Sequence, residues 1–198
     1  RAEECFIDLV SLARSAGAEF IQASVNGMHL DARLTFCSDG RNVPYDLASI
    51  DVGSRPETID TPGAASHALS IKPIERFLQR WQELAARAAR LPEGYRILVV
   101  GGGAGGVESL LAMQYRLQTA GAREVRFSLA TDGEEILPTH SPRVRRAFLQ
   151  VLRKRAVEVH AGRPVIEVRA GAAVLAGGRE LSADLIIWAT GAGAPCWP

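Results

Sequence analysis

The segment that most constrains this chain is RILVVGGGAGGVE, residues 96–108. Ile97, Leu98, Val99 and Val100 form an unbroken apolar run, the pattern of a strand covered on both faces. The run enters Gly101-Gly102-Gly103-Ala104-Gly105-Gly106, after which Val107 and Glu108 open a stretch of helical apolar spacing over residues 104–120 that Gly121 closes. The spacing Gly101-x-Gly103-x-x-Gly106 is weak on its own; between a strand and a helix it is the context of a dinucleotide-binding turn. Gly101 would permit the tight turn, Gly103 would leave no Cβ in the way of a pyrophosphate, and Gly106 would let the helix close onto the strand. The free N–H groups and the dipole of the helix start would then face phosphate charge. The bland alternative is a ligand-free turn, which would need fewer glycines.

A second strand is predicted over residues 125–130. It ends at Thr131-Asp132-Gly133-Glu134-Glu135, where an acid would hold the ribose hydroxyls of such a ligand. Asp132 lies one residue past the ideal place, and Thr131 offers a single hydroxyl. No Arg or Lys stands between residues 127 and 142, so a 2′-phosphate would meet only acids and NADH is expected over NADPH. A solvated acidic loop is the alternative. Ser141-Pro142 starts a helix over residues 141–156, followed by a strand at 157–160 and three short β segments at 165–168, 172–175 and 179–181. Residues 185–189 form a last buried strand ending at Thr190-Gly191. The order β-α-β-α-β, meander, β implies an α/β fold with a parallel sheet and right-handed crossovers.

The first third reads differently. A helix end over residues 1–17 precedes short antiparallel strands. Phe20 and Ile21 are expected to start a strand, Asn26-Gly27 to turn a hairpin, and Ser38-Asp39-Gly40 to make a second turn. Residues 55–70 are rich in Pro, Gly, Ser and Thr and are expected to be a linker. Ser70 and Pro73 then mark a helix over residues 73–90.

Composition narrows the function. The 23 Lys and Arg balance 22 Asp and Glu to a net charge of +1, which gives no global attraction for nucleic acid. No run approaches the ~20 apolar residues of a membrane span, and no signal peptide is visible. Cys5, Cys37 and Cys196 form no CxxC or CxxxxC pair, and their odd number suits a reducing, cytoplasmic location. His29, His67, His140 and His160 lack metal-ligand spacing. Arg143, Arg145, Arg146, Arg153, Lys154 and Arg155 read as a solvated helix face, or as a docking face for an acidic partner. Trp81 and Trp188 read as core, as do Cys5 and Cys37; Cys196 is either an incidental thiol or one near a flavin. Since the first residue is Arg1 rather than Met, the chain is expected to be cut from a longer one.

RILVVGGGAGGVE, Ile136-Leu137-Pro138 and DLIIWATGAGAP resemble the NAD domain of pyridine nucleotide-disulfide oxidoreductases. Tyr45-Asp46-Leu47 and Asp51-Val52-Gly53-Ser54 resemble a segment of that family's FAD domain. IDVGSRP, SIKPIERFLQRW, LPTHSPRVRRAFLQVLRKRAVEV and IIWATGAGAPCWP are most similar to a flavoprotein-type module associated with selenophosphate synthetase (selenide, water dikinase). That group is in turn similar to type II NADH dehydrogenases and sulfide:quinone reductases. The family's N-terminal GxGxxG loop, its CxxxxC pair and its C-terminal flavin segment have no counterpart in these 198 residues.

The resemblance implies a partial FAD-binding domain over residues 1–66. It implies an NAD(H)-binding domain over 67–198 whose end begins the return to the FAD domain. Residues 101–108 would meet the NAD pyrophosphate, with Glu108 near the nicotinamide and flavin edges. Thr131 occupies the ribose-reading position beside Asp132, Gly191 and Ala192 flank the nicotinamide, and Val25, Gly53 and Ser54 face FAD. FAD is expected only in the longer parent, and no metal is implied. The expected activity is that of a flavin-dependent NAD(P)H oxidoreductase, in which this part delivers hydride to flavin and is itself inactive. A quinone, a selenium species or a fused selenophosphate synthetase domain would be the partner, with a homodimer and a peripheral inner-membrane location as further expectations. Two alternatives stay open: a non-catalytic NAD(H)-binding regulatory module for a selenophosphate synthetase, and an S-adenosylmethionine methyltransferase, which also places a glycine loop after its first strand.

Overall fold

The computed structural model describes residues 7–53, 55–56, 61–122 and 124–193. The described chain falls into two compact units, one within residues 7–53 and one within 55–193. Cys5, Ser54 and Cys196 lie outside the described residues.

The first unit holds helix α1 (Leu9–Ser15) and a three-stranded antiparallel sheet of β1 (Val25–His29), β2 (Leu34–Cys37) and β3 (Asn42–Pro44) in the order β1-β2-β3. Asp8 caps α1, its Oδ1 accepting from Val10 N at 3.1 Å and Ser11 N at 3.4 Å, which satisfies donors that the first helical turn leaves free. None of this unit's described residues is buried. The expected strand at Phe20-Ile21 is absent, and Asn26-Gly27 lies inside β1 instead of turning the hairpin. Gly27 pairs with Phe36 where the register shifts, and a Cβ there would lie 3.7 Å from the Phe36 ring. The turn falls at residues 30–33, closed by Arg33 N donating to Leu30 O, with Arg33 at φ +50. The second turn, at residues 38–40, stands where it is expected.

The second unit opens with β4 (Arg55–Pro56), α2 (Ala64–His67) and β5 (Leu69–Ser70), followed by α3 (Ile74–Ala86) and a 3-10 turn over Ala88–Arg90. The expected linker is therefore partly structured. Val168 N donates to Pro62 O, and Gly63, at φ +75, abuts the Val168 carbonyl so closely that any side chain would collide with it. The chain then runs through β6 (Arg96–Val100), α4 (Ala104–Thr119), β7 (Arg126–Ala130), α5 (Pro142–Lys154) and β8 (Glu158–His160). A meander of β9 (Val165–Arg169), β10 (Ala172–Leu175) and β11 (Glu180–Ser182) leads to β12 (Leu185–Trp188), and β13 (Ala192–Gly193) pairs back on β4.

The central sheet has the order β5-β12-β6-β7-β8 and is parallel throughout. Strand alternation sends its side chains to two cores. Ile97, Val99, Leu129 and Ile187 meet Phe77 and Leu84 of α3, Val107, Leu110 and Leu117 of α4, and Leu152 of α5. On the other face Leu98, Val100, Ile186 and Trp188 meet Val168, Ala173 and Leu175 of the meander. The result is three layers: helices, parallel sheet, antiparallel meander. Each fully buried Leu or Ile contributes about 1.5–3 kcal/mol, so these strands fix the ends of the sheet rigidly.

That rigidity positions one crevice. From β6 the chain winds outward through β7 to β8 and returns to β12 on the opposite side of β6. The carboxyl ends of β6 and β12 are the topological switch point, where open α/β sheets bind ligands.

Candidate functional site

The loop leaving β6 is held by its backbone. Gly101 N donates to Ala130 O at 2.8 Å, Ala189 N to Val100 O at 2.8 Å and Leu137 N to Gly102 O at 2.7 Å. Gly101 takes φ +123, and a Cβ on it would stand 2.6 Å from the Ala189 carbonyl, so the turn requires glycine. Gly102 is also confined, since its Cβ would lie 2.6 Å from Thr131 Oγ1. Gly106 abuts the Gly101 carbonyl oxygen and has no room for a side chain.

Gly103 and Gly105 are different. Both are exposed, and a Cβ on either would meet nothing within 4 Å. Gly103 is the N-cap of α4 and offers no side-chain cap. Val107 N bonds to Gly103 O, which leaves the N–H groups of Ala104, Gly105 and Gly106 as first-turn donors without intrahelical partners. The turn thus combines crowded glycines that close it with open glycines that leave a cradle at a helix N-terminus. That cradle fits a pyrophosphate.

Beside it, Ser70, Ile71, Gly105, Trp188, Ala189 and Gly191 contribute to a cleft of about 220 Å³. Lys72 and Thr190 complete its lining. Trp188 is 3% exposed, and its Nε1 has no hydrogen-bond partner, an uncommon state for a buried donor. Glu108 is exposed and lies three residues beyond Gly105, on the same face of α4. Gly191 is exposed at the rim, and Ala192 lies in β13, paired with Pro56.

At the end of β7, Thr131 is buried and packs under Gly102, while Asp132 is exposed and accepts from Gly133 N at 2.8 Å. Thr131 Oγ1 lies 3.4 Å from Asp132 Oδ1. One acid here, Glu135, has a cationic neighbour that the sequence window did not contain, and a backbone donor comes from further on. Arg145 of α5 pairs with Glu135, and Arg163, from the loop after β8, donates its N–H to Thr131 O at 3.1 Å. Thr131 N in turn donates to His160 O. The His160 imidazole is buried, which pushes its pKa below the ordinary histidine value. Glu158 opposes that shift, and Arg179 and Arg163 add to it.

Val25 lies in β1 paired with Cys37, and Gly53 takes φ +72 with its N–H on Asp51 Oδ1 at 3.4 Å. Both belong to the first unit. Residues 101–108, Thr131, Asp132 and Gly191 gather at the carboxyl edge of the parallel sheet in the second. Among the described residues, no three His, Cys, Asp or Glu side chains are grouped as a metal site. No helix among them is long and apolar enough to cross a membrane.

The sequence profile of a family described as pyridine nucleotide-disulphide oxidoreductase matches residues 12–196. A type II NADH:quinone oxidoreductase of Haemophilus influenzae is 24% identical over 179 residues, covering 76% of this chain and 40% of that protein. A demethylphylloquinone reductase of Synechocystis is 26% identical over 190 residues, covering 92% and 46%. The structure of the sulfide:quinone oxidoreductase of Aquifex aeolicus shares the fold, with a TM-score of 0.75 at 19% identity over 94% of this chain and 45% of that one. The chain thus spans less than half the length of these two curated relatives.

Proposed function

This chain belongs to the pyridine nucleotide-disulphide oxidoreductase family, and on that premise we propose that it is the NAD(H)-binding part of a flavin-dependent NAD(P)H oxidoreductase. The carrying observation is the asymmetry of the glycine turn: Gly101, Gly102 and Gly106 are packed shut, while Gly103 and Gly105 stand open above unpaired helix N–H groups. A turn that served only to reverse the chain would gain nothing from an open glycine at position 105, inside the first turn of α4, where glycine costs helix stability relative to alanine. The methyltransferase alternative is set aside by the family membership.

When bound, NADH and FAD supply the chemistry, a hydride passed from nicotinamide to flavin. The chain's own part is to bind and orient. Ala104, Gly105 and Gly106 would donate backbone N–H groups to the pyrophosphate. The mostly apolar cleft of Ile71, Trp188, Ala189 and Gly191 would hold the nicotinamide end away from water, with Glu108 beside it as an acceptor. Thr131 and Asp132 would meet the adenosine ribose. Val25, Gly53 and Ser54 would face FAD, completing the partial FAD-binding domain assigned to residues 1–66. The exposed apolar residues of that region, such as Leu30 at 73% and Leu47 at 92%, support its being part of a larger domain. A quinone is the acceptor best supported by the names of the relatives.

A second reading is a non-catalytic NAD(H)-sensing module beside a selenophosphate synthetase. The motif resemblance supports it, as does Thr131, whose buried hydroxyl stands where a ribose-binding acid would otherwise be. Anaerobic stopped-flow mixing of the flavin-bearing parent with NADH separates the two. Bleaching of the flavin band supports the oxidoreductase; NADH binding with the flavin left oxidised supports the sensor.

A further inference from the structure

Away from the glycine turn, α3 and the edge strand β5 enclose a second groove of about 310 Å³, the size of a small-ligand cleft. It is lined by Arg76 and Arg80, four residues apart on one face of α3, and by Arg87, which caps the C-terminus of that helix. The apolar wall is formed by Leu69, Leu84 and Leu185, with two aromatic rings, Trp81 and Tyr95, at its sides. Two acidic residues also line it, each paired with an arginine. Glu83 meets Arg80 at 3.4 Å. Asp184 accepts from Arg96 N at 2.8 Å and from Arg96 Nε at 3.3 Å.

Two guanidiniums are therefore left over. The side chains of Arg76 and Arg87 make no ion pair or hydrogen bond among the described residues. Burial raises the pKa of the Tyr95 phenol, the Arg87 charge opposes that rise and the Asp184 charge adds to it, so both charges are in electrostatic reach of the groove's aromatic side. Guanidinium groups bind carboxylates with directed pairs of N–H bonds, and aromatic faces favour planar rings.

We propose that the groove between α3 and β5 is a binding site for a small aromatic carboxylate, its ring against Trp81 and Tyr95 and its charge met by Arg76 and Arg87. The cations would select the anion, and the apolar wall of Leu69, Leu84 and Leu185 would reject a small inorganic ion. This site is independent of the dinucleotide cradle, which lies at the carboxyl ends of β6 and β12.

Calorimetric titration of the chain with 2-naphthoate, and with the uncharged 2-naphthylmethanol as a control, tests it. Naphthoate is expected to bind saturably, the alcohol at least about tenfold more weakly. The double variant Arg76→Gln, Arg87→Gln is expected to lose at least about tenfold in naphthoate affinity with its thermal midpoint unchanged. The variant Arg153→Gln, Lys154→Gln removes the same charge from α5 and is expected to keep wild-type affinity. Saturating NADH is expected to leave naphthoate binding intact. Absence of saturable binding, equal binding of the alcohol, full affinity in the α3 variant, equal loss in the α5 variant, or displacement by NADH would each overturn the proposal.

Discussion

Gly106 of α4 lies directly against the carbonyl oxygen of Gly101, with no space for a Cβ between them. This contact closes the helix onto the strand that precedes it and aims the first turn of α4 outward. Gly106→Val must push α4 off β6 and disturb the packing of Val107 and Leu110, both fully buried. Overpacking of this kind costs about 1–3 kcal/mol. The expected outcome is a thermal midpoint lowered by several degrees in calorimetry; an unchanged midpoint would mean that the turn yields easily.

His160 is buried, its Nε2 3.4 Å from Glu158 Oε1 but without a hydrogen bond, and burial lowers its pKa. A histidine whose folded pKa lies below its unfolded value of about 6.5 is disfavoured as the cation in the folded state. Its stabilising neutral form is fully populated above that value, and stability falls as pH drops through the window beneath it. The midpoint of the wild type should therefore fall more steeply between about pH 6.5 and pH 5 than that of His160→Gln. Parallel curves would show that the imidazole does not titrate in this window.

Much of the second unit was legible because its signals are local. Four consecutive apolar residues at 97–100 specify a buried strand, and Ser141-Pro142 opens α5 with Ser141 Oγ accepting from Val144 N at 3.5 Å. What escaped was set by distant partners. The two residues of β5 are too short to show a period and gain their identity from parallel pairing with Ile187 and Trp188. Asn26-Gly27 carries a strong hairpin signal, yet both residues lie within β1, where Gly27 pairs with Phe36 beside a shift in register. The same applies to the site: the glycine turn could be read directly, whereas the backbone donor to the Thr131 carbonyl comes from Arg163, 32 positions further on.

The acids after β7 bear on cofactor choice. Glu135 already holds Arg145, so a 2′-phosphate near Asp132 would face the carboxylates of Asp132 and Glu134. Charge balance still favours NADH over NADPH. Asp132→Asn should narrow that preference by strengthening NADPH more than NADH, measured by titrating both cofactors. Tighter NADPH binding by the wild type, or equal changes for both cofactors in the variant, would place the ribose pocket elsewhere.

The central claim is that the open glycines cradle a dinucleotide, and Gly103→Val tests it most directly. Gly103 has φ −73 and ψ 177, extended backbone that valine adopts without strain, and its side chain would enter open space. Folding should therefore survive, with a thermal midpoint near that of the wild type. The isopropyl group would occupy the place assigned to the pyrophosphate. NADH affinity measured by calorimetric titration should fall at least about tenfold, or ~1.4 kcal/mol. Unchanged NADH affinity in a folded Gly103→Val protein would reduce residues 101–106 to a structural turn and contradict the assignment.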